Sequence, residues 1–250
     1  MRRTALLSDD GMSLQEVGSL YEALPFLREM GHFVSLVGGG GKTTLMYEMA
    51  AITASHRTHT VVTTTTHIWK PADRLPAETE QEIWHAWKEG QFAVCGAPSG
   101  ADKLTIPDQE WMNRLIEIAD FILAESDGAK GMPAKSPREH EPVISRDSDI
   151  VVGVLGLDAV GRPIKEVCFG IEEMTKLLQK QQDETFTEED AVMLLTSEMG
   201  SRKSVQDREY YVILNKWDRM SGKVSILNLL QSLRNQGVSS TIVTGQFNEK

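Results

Sequence analysis

The feature that most constrains this chain is a run of four glycines followed by a lysine and two threonines, Gly38-Gly39-Gly40-Gly41-Lys42-Thr43-Thr44. The run follows the apolar stretch Phe33–Val37, which predicts a buried strand, and precedes a stretch whose apolar residues have helical spacing. A glycine turn that opens a helix leaves several backbone N–H groups without intrahelical acceptors, and such groups bind anions. The pattern therefore predicts a phosphate-binding loop between a strand and a helix.

The residues after the glycines indicate which anion the loop binds. We expect Lys42 to bridge the terminal phosphates of a nucleoside triphosphate, GTP or ATP, and the hydroxyl of Thr43 to bind Mg²⁺. The spacing is shorter than the usual G-x-x-x-x-G-K-[ST] pattern, because Leu36 occupies the position of its first glycine. The compact G-x-x-G-K-T-T form resembles the phosphate loops of Mur-type ligases and of some small-molecule kinases.

From about residue 31 onward, predicted strands alternate with predicted helices. The strands are continuous apolar or β-branched runs: Phe33–Val37, Thr60–Thr65, Phe121–Ala124, Ile150–Leu157, Tyr210–Leu214 and Ser239–Thr244. Such runs are typical of a mostly parallel sheet with helices on both faces. We therefore expect an α/β fold, a three-layer sandwich similar to that of P-loop NTPases.

The predicted domain organisation is one α/β domain over residues 31–250, preceded by a helical extension over residues 1–30. Leu20, Leu24 and Leu27 have helical spacing within that extension. In a parallel sheet, ligands bind at the carboxyl ends of the strands, and every candidate motif in this sequence follows a predicted strand.

Two carboxylates follow the strand that ends at Ala124. Glu125 and Asp127 stand where phosphate-loop proteins hold the Mg²⁺ shell, with Asp127 the first choice and Glu125 the second. One carboxylate could instead serve the metal while the other acts as a general base. Together with Lys42, they are the candidate catalytic residues, and together with Thr43 they are the candidate metal ligands. An ordinary acidic turn is the structural alternative.

A second nucleotide-binding motif follows the strand Tyr210–Leu214. Asn215-Lys216-Trp217-Asp218 matches the N-K-x-D element of G proteins, in which the carboxylate accepts hydrogen bonds from guanine and the lysine stem packs along the base. Hydrogen bonds to a charged acceptor contribute about 1.5–3 kcal/mol each, which is enough to prefer guanine to adenine. The alternative is that Asn215 caps a helix at an ordinary strand exit.

Two further segments are candidates for substrate binding or for a conformational switch. The run Thr63-Thr64-Thr65-Thr66-His67 ends the second predicted strand, and its hydroxyls and imidazole either line a pocket or simply reflect β propensity. The segment from Lys130 to Glu141 is too long and too charged for a plain connector. Its candidate residues are Lys130, Lys135, His140 and Glu141. His140-Glu141 lacks the second histidine of a zinc-binding helix, so zinc is not expected.

The composition restricts the class of protein. The net charge of −10 and the absence of a lysine- and arginine-rich stripe argue against nucleic acid as a partner. No apolar stretch is long enough for a membrane span or a signal peptide, so no membrane partner is expected. The two cysteines, Cys95 and Cys168, lack metal-like spacing, which is typical of a reduced, cytoplasmic protein.

Taken together, these motifs resemble the YqeC family, accessory proteins of selenium-dependent molybdenum hydroxylases. The resemblance covers roughly Phe33 to Thr244, and the order of its motifs is specific. The motifs are VGGGGKTTL (37–45), VTTTTH (62–67), ADFILAESDGAKGMPAK (119–135), HEPV (140–143), GLDAVG (156–161) and LNKWD (214–218). The resemblance implies a phosphate-loop, nucleotide-binding fold and a role in maturing a molybdenum or selenium cofactor.

The leading functional hypothesis is an accessory NTPase that binds Mg²⁺ with GTP or ATP, with a molybdenum hydroxylase or its cofactor as the client. In this hypothesis, hydrolysis shifts the segment 130–141 between two arrangements that grip or release the client. The second hypothesis is a small-molecule kinase or ligase. The third is a module that binds a nucleotide or a molybdopterin dinucleotide without consuming it.

Overall fold

The structure is a computed structural model that describes residues 2–71, 73–220, 225–238 and 240–246. The strands within these residues are, in chain order, β1 (Arg2–Leu7), β2 (Leu14–Val17), β3 (His32–Gly38), β4 (Thr60–Thr64), β5 (His67–Trp69), β6 (Ala93–Val94), β7 (Ala97–Ser99), β8 (Lys103–Thr105), β9 (Phe121–Glu125), β10 (Ala134–Lys135), β11 (Ile150–Gly156), β12 (Cys168–Phe169), β13 (Glu209–Asn215) and β14 (Thr241–Gln246).

The α-helices of the described residues are α1 (Leu20–Ala23), α2 (Lys42–Ser55), α3 (Glu80–Lys88), α4 (Gln109–Ile118), α5 (Ile164–Val167), α6 (Ile171–Leu178), α7 (Glu188–Thr196) and α8 (Ile226–Asn235). Short 3₁₀ helices cover Pro25–Arg28, Leu157–Ala159 and Trp217–Arg219.

A sheet of nine strands in the order β2-β1-β14-β13-β11-β3-β9-β4-β6 forms the centre of the molecule. The seven strands from β14 to β6 are parallel to their neighbours, whereas β1 pairs antiparallel with β14 and β2 pairs antiparallel with β1. Strand β3 therefore lies between β11 and β9, at the middle of the sheet.

Helices cover both faces of this sheet, which explains why its central strands are apolar along their whole length. On one face, α2 packs against β3, β4 and β9, and its Leu45, Met46 and Met49 belong to the core cluster on that side. On the other face, α3 and α4 cover β4 and β9, while α7 and α8 cover β13 and β14. The α/β fold with a mostly parallel, doubly covered sheet is therefore confirmed.

The first thirty residues differ from the helical extension that the leucine spacing predicted. They form strands β1 and β2 of the main sheet, with only one turn of α1 and the 3₁₀ turn Pro25–Arg28 between β2 and β3. The apolar residues of this segment, among them Leu20, Leu24 and Leu27, still join the core beneath α2. The prediction of a helical extension was wrong. These leucines are spaced so that each reaches the core, and they do so from two short helical turns and not from one continuous helix.

Two smaller sheets lie at the carboxyl edge of the main one. Strands β5, β8 and β7 form an antiparallel sheet, and β10 pairs with β12 in parallel. Among the described residues, no helix combines the length and the apolar character that crossing a membrane requires.

Candidate functional site

The glycine loop (residues 38–41) connects β3 to α2, as the sequence predicts. Gly38, Gly40 and Gly41 have φ angles of 96°, 88° and 113°, a region that residues with a Cβ atom rarely adopt. A Cβ on Gly38 would lie 2.3 Å from the Val154 carbonyl oxygen, and one on Gly40 would lie 2.1 Å from the Gly156 nitrogen. Glycine is therefore required here both by the backbone conformation and by the contact with β11.

The amides of the glycine loop divide into two groups. The N–H groups of Gly38, Gly39 and Gly40 already donate to protein acceptors, namely the Asp127 carboxylate (3.0 and 3.1 Å), the Val154 carbonyl (2.9 Å) and the Met132 carbonyl (3.0 Å). The N–H groups of residues 41–44 have no hydrogen-bond acceptor within the described part of the chain. The candidate anion site is therefore the beginning of α2, not the whole glycine loop.

Lys42, the first residue of α2, is buried with two carboxylates. Its side chain is 3% exposed, and those of Glu125 and Asp127 are 8% and 2% exposed. The Lys42 Nζ atom lies 3.0 Å from Asp127 Oδ1 and 3.7 Å from Glu125 Oε1, and it donates to the Gly38 carbonyl at 2.5 Å. Burial alone disfavours the ammonium, but the two carboxylates outweigh it and raise the pKa of Lys42 above its ordinary value.

Glu125 ends β9 and contacts α2 directly. The Thr43 hydroxyl donates to Glu125 Oε2 at 2.6 Å, so the residues expected to bind Mg²⁺ do lie side by side. Burial raises the pKa of Glu125 more than the neighbouring Lys42 ammonium and Thr43 hydroxyl lower it. An additional cation at this position would favour the ionised carboxylate.

The two carboxylates therefore differ in what they can bind. Ser126 N donates to the Leu36 carbonyl, which continues the alignment with β3 and places Asp127 beside Gly38. There both Asp127 oxygens accept from the Gly38 amide, and one also faces Lys42. Glu125 instead faces Thr43 and lines an open cleft. This geometry favours Glu125 as the metal-side carboxylate, the reverse of the order expected from the sequence.

The Thr43–Glu125 pair fits a magnesium ion. Within the described residues, no group of three or more His, Cys, Asp or Glu side chains is arranged to hold a metal. Mg²⁺ does not need such a group, because it usually binds one or two protein oxygens together with water and substrate phosphates. A hydroxyl and a carboxylate oxygen, next to amides able to hold phosphates, meet that requirement.

The threonine run at the end of β4 is partly structural. The Thr64 hydroxyl donates to the Glu125 carbonyl at 2.9 Å, and the Thr65 hydroxyl donates to the Val143 carbonyl at 2.6 Å. Thr63 is buried. Thr66 and His67 line the same cleft as Lys42 and Thr43. Of the predicted run, these last two residues are the ones placed to contact a ligand there.

The segment 130–141 folds against β12. Lys135 is fully buried, forms an ion pair with Glu141 and lies 4.5 Å from the centre of the Phe169 ring. Burial raises the pKa of Glu141, but the Lys135 ammonium and the Arg138 amide outweigh it, so the pKa is lowered overall. Lys130 and Glu141 line the cleft, whereas His140 is exposed and does not.

Of the N-K-x-D residues, Asn215 contacts the glycine loop, whereas Lys216 and Asp218 contact other parts of the protein. Asn215 Nδ2 donates to the Gly40 carbonyl at 2.8 Å, which fixes the loop from the side of β13. The Lys216 ammonium pairs with Asp158 at 2.9 Å. Asp218 Oδ1 accepts from the Gln246 amide at 2.8 Å, so this oxygen is already hydrogen-bonded within the protein.

The cleft in front of α2 has a volume of about 410 Å³. It also contains Trp69, Lys103 and Phe169, which the sequence did not single out as site residues, and Arg138, which lies within the predicted segment 130–141. Trp69 and Lys103 reach it through the small β5-β8-β7 sheet, and Phe169 through the two-residue strand β12; no periodicity predicts such short elements. Two larger depressions, of about 790 and 700 Å³, contain none of the predicted site residues.

The sequence of the chain is similar to that of a known family. The sequence model of the family described as YqeC protein matches residues 34–172 of the chain. The chain belongs to the YqeC family. One relative, an uncharacterized protein YqeC from Escherichia coli (strain K12), is 28% identical over 225 residues, which are 83% of this chain and 84% of the relative. No solved structure matches the chain.

The segment shared with the YqeC family includes most of the candidate site. Residues 34–172 contain the glycine loop, both carboxylates, the segment 130–141 and Phe169, whereas Asn215 and Asp218 lie outside the match. The cleft in front of α2 is thus built almost wholly from the part of the chain that defines the family.

Proposed function

We propose that this protein binds a nucleoside triphosphate, GTP or ATP, together with Mg²⁺ at the beginning of α2, and hydrolyses it. The observation on which the proposal depends is that the amides of residues 41–44, next to Lys42, Thr43 and Glu125, have no acceptor among the residues that the structure describes. Oriented amides at a helix N-terminus bind phosphate oxygens, and the helix dipole adds to their attraction.

Each residue has a definite task in this proposal. The amides of residues 41–44 hold phosphate oxygens, and Lys42, which its raised pKa keeps charged at neutral pH, neutralises them. Thr43 and Glu125 hold the metal. When bound, Mg²⁺ supplies positive charge that stabilises the phosphoryl group during transfer. Asp127 and Asn215 fix the glycine loop from behind, through Gly38 and Gly40 respectively.

The family resemblance supplies the biological role that we propose. It implies maturation of selenium-dependent molybdenum hydroxylases or of their cofactor. We further propose that hydrolysis is coupled to the segment 130–141. Support for that coupling comes from Glu141 and Lys130, which line the same cleft as the glycine loop. Binding or loss of a phosphate in this cleft would therefore change the electrostatic environment of this segment directly.

A second candidate is a small-molecule kinase or ligase. Its support is the compact glycine loop together with the volume of the cleft beyond Thr43, which is lined by basic side chains suited to an acceptor molecule. In that case phosphate would be transferred to the acceptor and not to water.

Calorimetry with ATP and GTP, with and without Mg²⁺, tests the binding step. We expect micromolar or tighter binding that depends on Mg²⁺ and is lost in Lys42→Ala, whereas Lys176→Ala, which removes an exposed lysine of α6, serves as the matched control. Glu125→Gln should weaken the Mg²⁺ dependence more than Asp127→Asn does. Unchanged nucleotide affinity in Lys42→Ala would refute the proposed site.

A phosphate-release assay then separates the alternatives. Release from nucleotide alone supports the NTPase, and release or transfer that requires an added small molecule supports the kinase or ligase. Tight binding without any turnover would leave only a binding module, because neither reaction would then take place.

A further inference from the structure

Three cations surround the ring of Phe169 at one end of the cleft. The Lys135 and Lys130 ammonium groups lie 4.5 and 5.2 Å from the ring centre, and the Arg138 guanidinium carbon lies 4.7 Å from it. Each cation is attracted by the negative face of the ring. The positive charges, however, repel one another.

The acidic groups of the cleft do not balance these charges. Glu141 is the ion-pair partner of Lys135, and Glu125 is bound by Thr43 and Lys42. Lys130 and Arg138 form no ion pair within the described residues, and neither does Lys103, which lies over the Trp69 ring at 4.6 Å. We call Lys103, Lys130 and Arg138 the basic wall. In a chain with a net charge of −10, this local excess of positive charge indicates an anionic ligand.

The backbone fixes the position of the basic wall. Lys130 has a φ of 48°, in the left-handed region that non-glycine residues rarely adopt. The adjoining turn is closed by a hydrogen bond from Met132 N to the Ala129 carbonyl at 2.9 Å. Phe169 is held by the parallel pairing of β12 with β10, in which Lys135 aligns with Phe169. The backbone of Lys130 and the ring of Phe169 are therefore held in place by the fold.

The topology separates this wall from the place expected for the nucleotide base. Strand β3 lies between β11 and β9 in the sheet. Asn215, at the end of β13, contacts the glycine loop from the β11 side, whereas Thr66, His67 and Lys130 follow β4 and β9 on the opposite side. A nucleotide whose base lies toward Asn215 leaves the other side of the cleft open.

We propose that this side of the cleft is a second subsite, which binds a small molecule bearing a phosphate or carboxylate group beside the nucleotide. The basic wall supplies the charge, and Phe169 orients two of its three members. The inference rests on the proposed function only for the place of the nucleotide; the charges of the wall do not depend on it.

The test uses the full-length protein saturated with Mg²⁺ and a non-hydrolysable analogue of the tighter-binding nucleotide. Inorganic phosphate and succinate are then titrated separately at constant ionic strength, and the thermal midpoint and calorimetric heat are recorded. We expect at least one probe to bind while the analogue is present. Phosphate alone, succinate alone or both would assign the anionic group that the wall accepts. Binding of neither probe would overturn the proposal.

Variants distinguish the second subsite from the phosphate loop. The double variant Lys130→Gln/Arg138→Gln should lower the affinity for the bound probe at least tenfold and lower nucleotide affinity less, whereas Lys42→Ala should show the reverse order. Arg146→Gln/Lys176→Gln removes two exposed charges elsewhere and is the charge-matched control. An equal loss in that control, or a probe displaced by the analogue, would overturn the proposal.

The failure of one proposal is distinguishable from the failure of the other. If no nucleotide binds, but phosphate or succinate binds in a manner that depends on Lys130 and Arg138, the subsite stands and the nucleotide site does not. If nucleotide binds and the probes do not, the reverse holds.

Discussion

Lys42→Met tests whether the lysine of the glycine loop is held by carboxylates before any ligand binds. The substitution keeps most of the side-chain volume and removes the charge that faces Asp127 at 3.0 Å and Glu125 at 3.7 Å. All three side chains are buried, so water cannot replace the lost ammonium. Removing one partner of a buried ion pair typically costs about 3–5 kcal/mol, and we expect a loss of that size in unfolding free energy at pH 8.

The cost should depend on pH in a defined direction. Burial already raises the pKa of Glu125 in the folded wild type, and without the Lys42 ammonium the folded-state pKa of Glu125 rises further. A group with a raised folded-state pKa favours the folded state when protonated, and that contribution is lost as pH increases through the raised value. The deficit of Lys42→Met should therefore be largest at pH 8 and shrink toward pH 5.

Urea unfolding followed by circular dichroism at pH 8 and pH 5 measures both quantities. The triple variant Lys42→Met/Glu125→Gln/Asp127→Asn removes all three charges and should recover much of the lost stability, because no uncompensated carboxylate remains. A cost below about 1 kcal/mol at pH 8, or a cost that is the same at both pH values, would refute the ion-pair interpretation of the free protein.

Further predictions concern the glycine loop, the cysteines and the base contact. Gly40→Ala should lower the free energy of unfolding by about 3 kcal/mol or more, because the new Cβ would clash with the backbone of β11 at a residue whose φ is 88°. Gly90→Ala is the control: its φ is 70°, but its Cβ would lie in open space, so it should cost only about 1 kcal/mol. Thermal unfolding compares the two variants. Burial raises the pKa of both cysteine thiols to about 12, so iodoacetamide at pH 8 should label them about a hundredfold more slowly in native protein than in urea. Asp218→Asn should lower GTP affinity about tenfold and ATP affinity less, without a change in melting temperature, since the amide oxygen still accepts from Gln246; equal losses for both nucleotides exclude guanine recognition.

The central sheet was predictable because its strands are buried on both faces and therefore continuously apolar. The prediction Ile150–Leu157 corresponds to β11 at Ile150–Gly156, and Phe121–Ala124 corresponds to β9 at Phe121–Glu125. The edge of the sheet was not predictable in the same way. Residues 2–7 form strand β1 because they pair with β14, more than two hundred residues away. The sequence of these six residues alone does not indicate that pairing.

The candidate site was predictable as a set of residues but not as a set of contacts. The motifs at 38–44, 125–127 and 215–218 follow β3, β9 and β13, which are parallel strands of one sheet with β13 separated from β3 only by β11, so the sheet brings their first residues to one edge. Of the basic wall, the sequence placed Lys130 and Arg138 within the candidate segment 130–141, but not Lys103; Lys103 and the nearby Phe169 lie on strands of three and two residues, too short for a periodic pattern.

The order of the two carboxylates shows why contacts cannot be derived from spacing alone. Glu125 and Asp127 are two residues apart, the sequence ranked Asp127 first as the metal-side carboxylate, and in the structure both carboxylates face Lys42. What separates them is the backbone after β9, which stays aligned with β3 for one more residue and gives Asp127 the Gly38 amide as a partner. Asp127 thereby uses its charge to stabilise the loop, and Glu125, facing Thr43 and the cleft, remains available to a ligand. A preassembled loop of this kind loses little conformational entropy on binding, so that more of the interaction free energy appears as affinity.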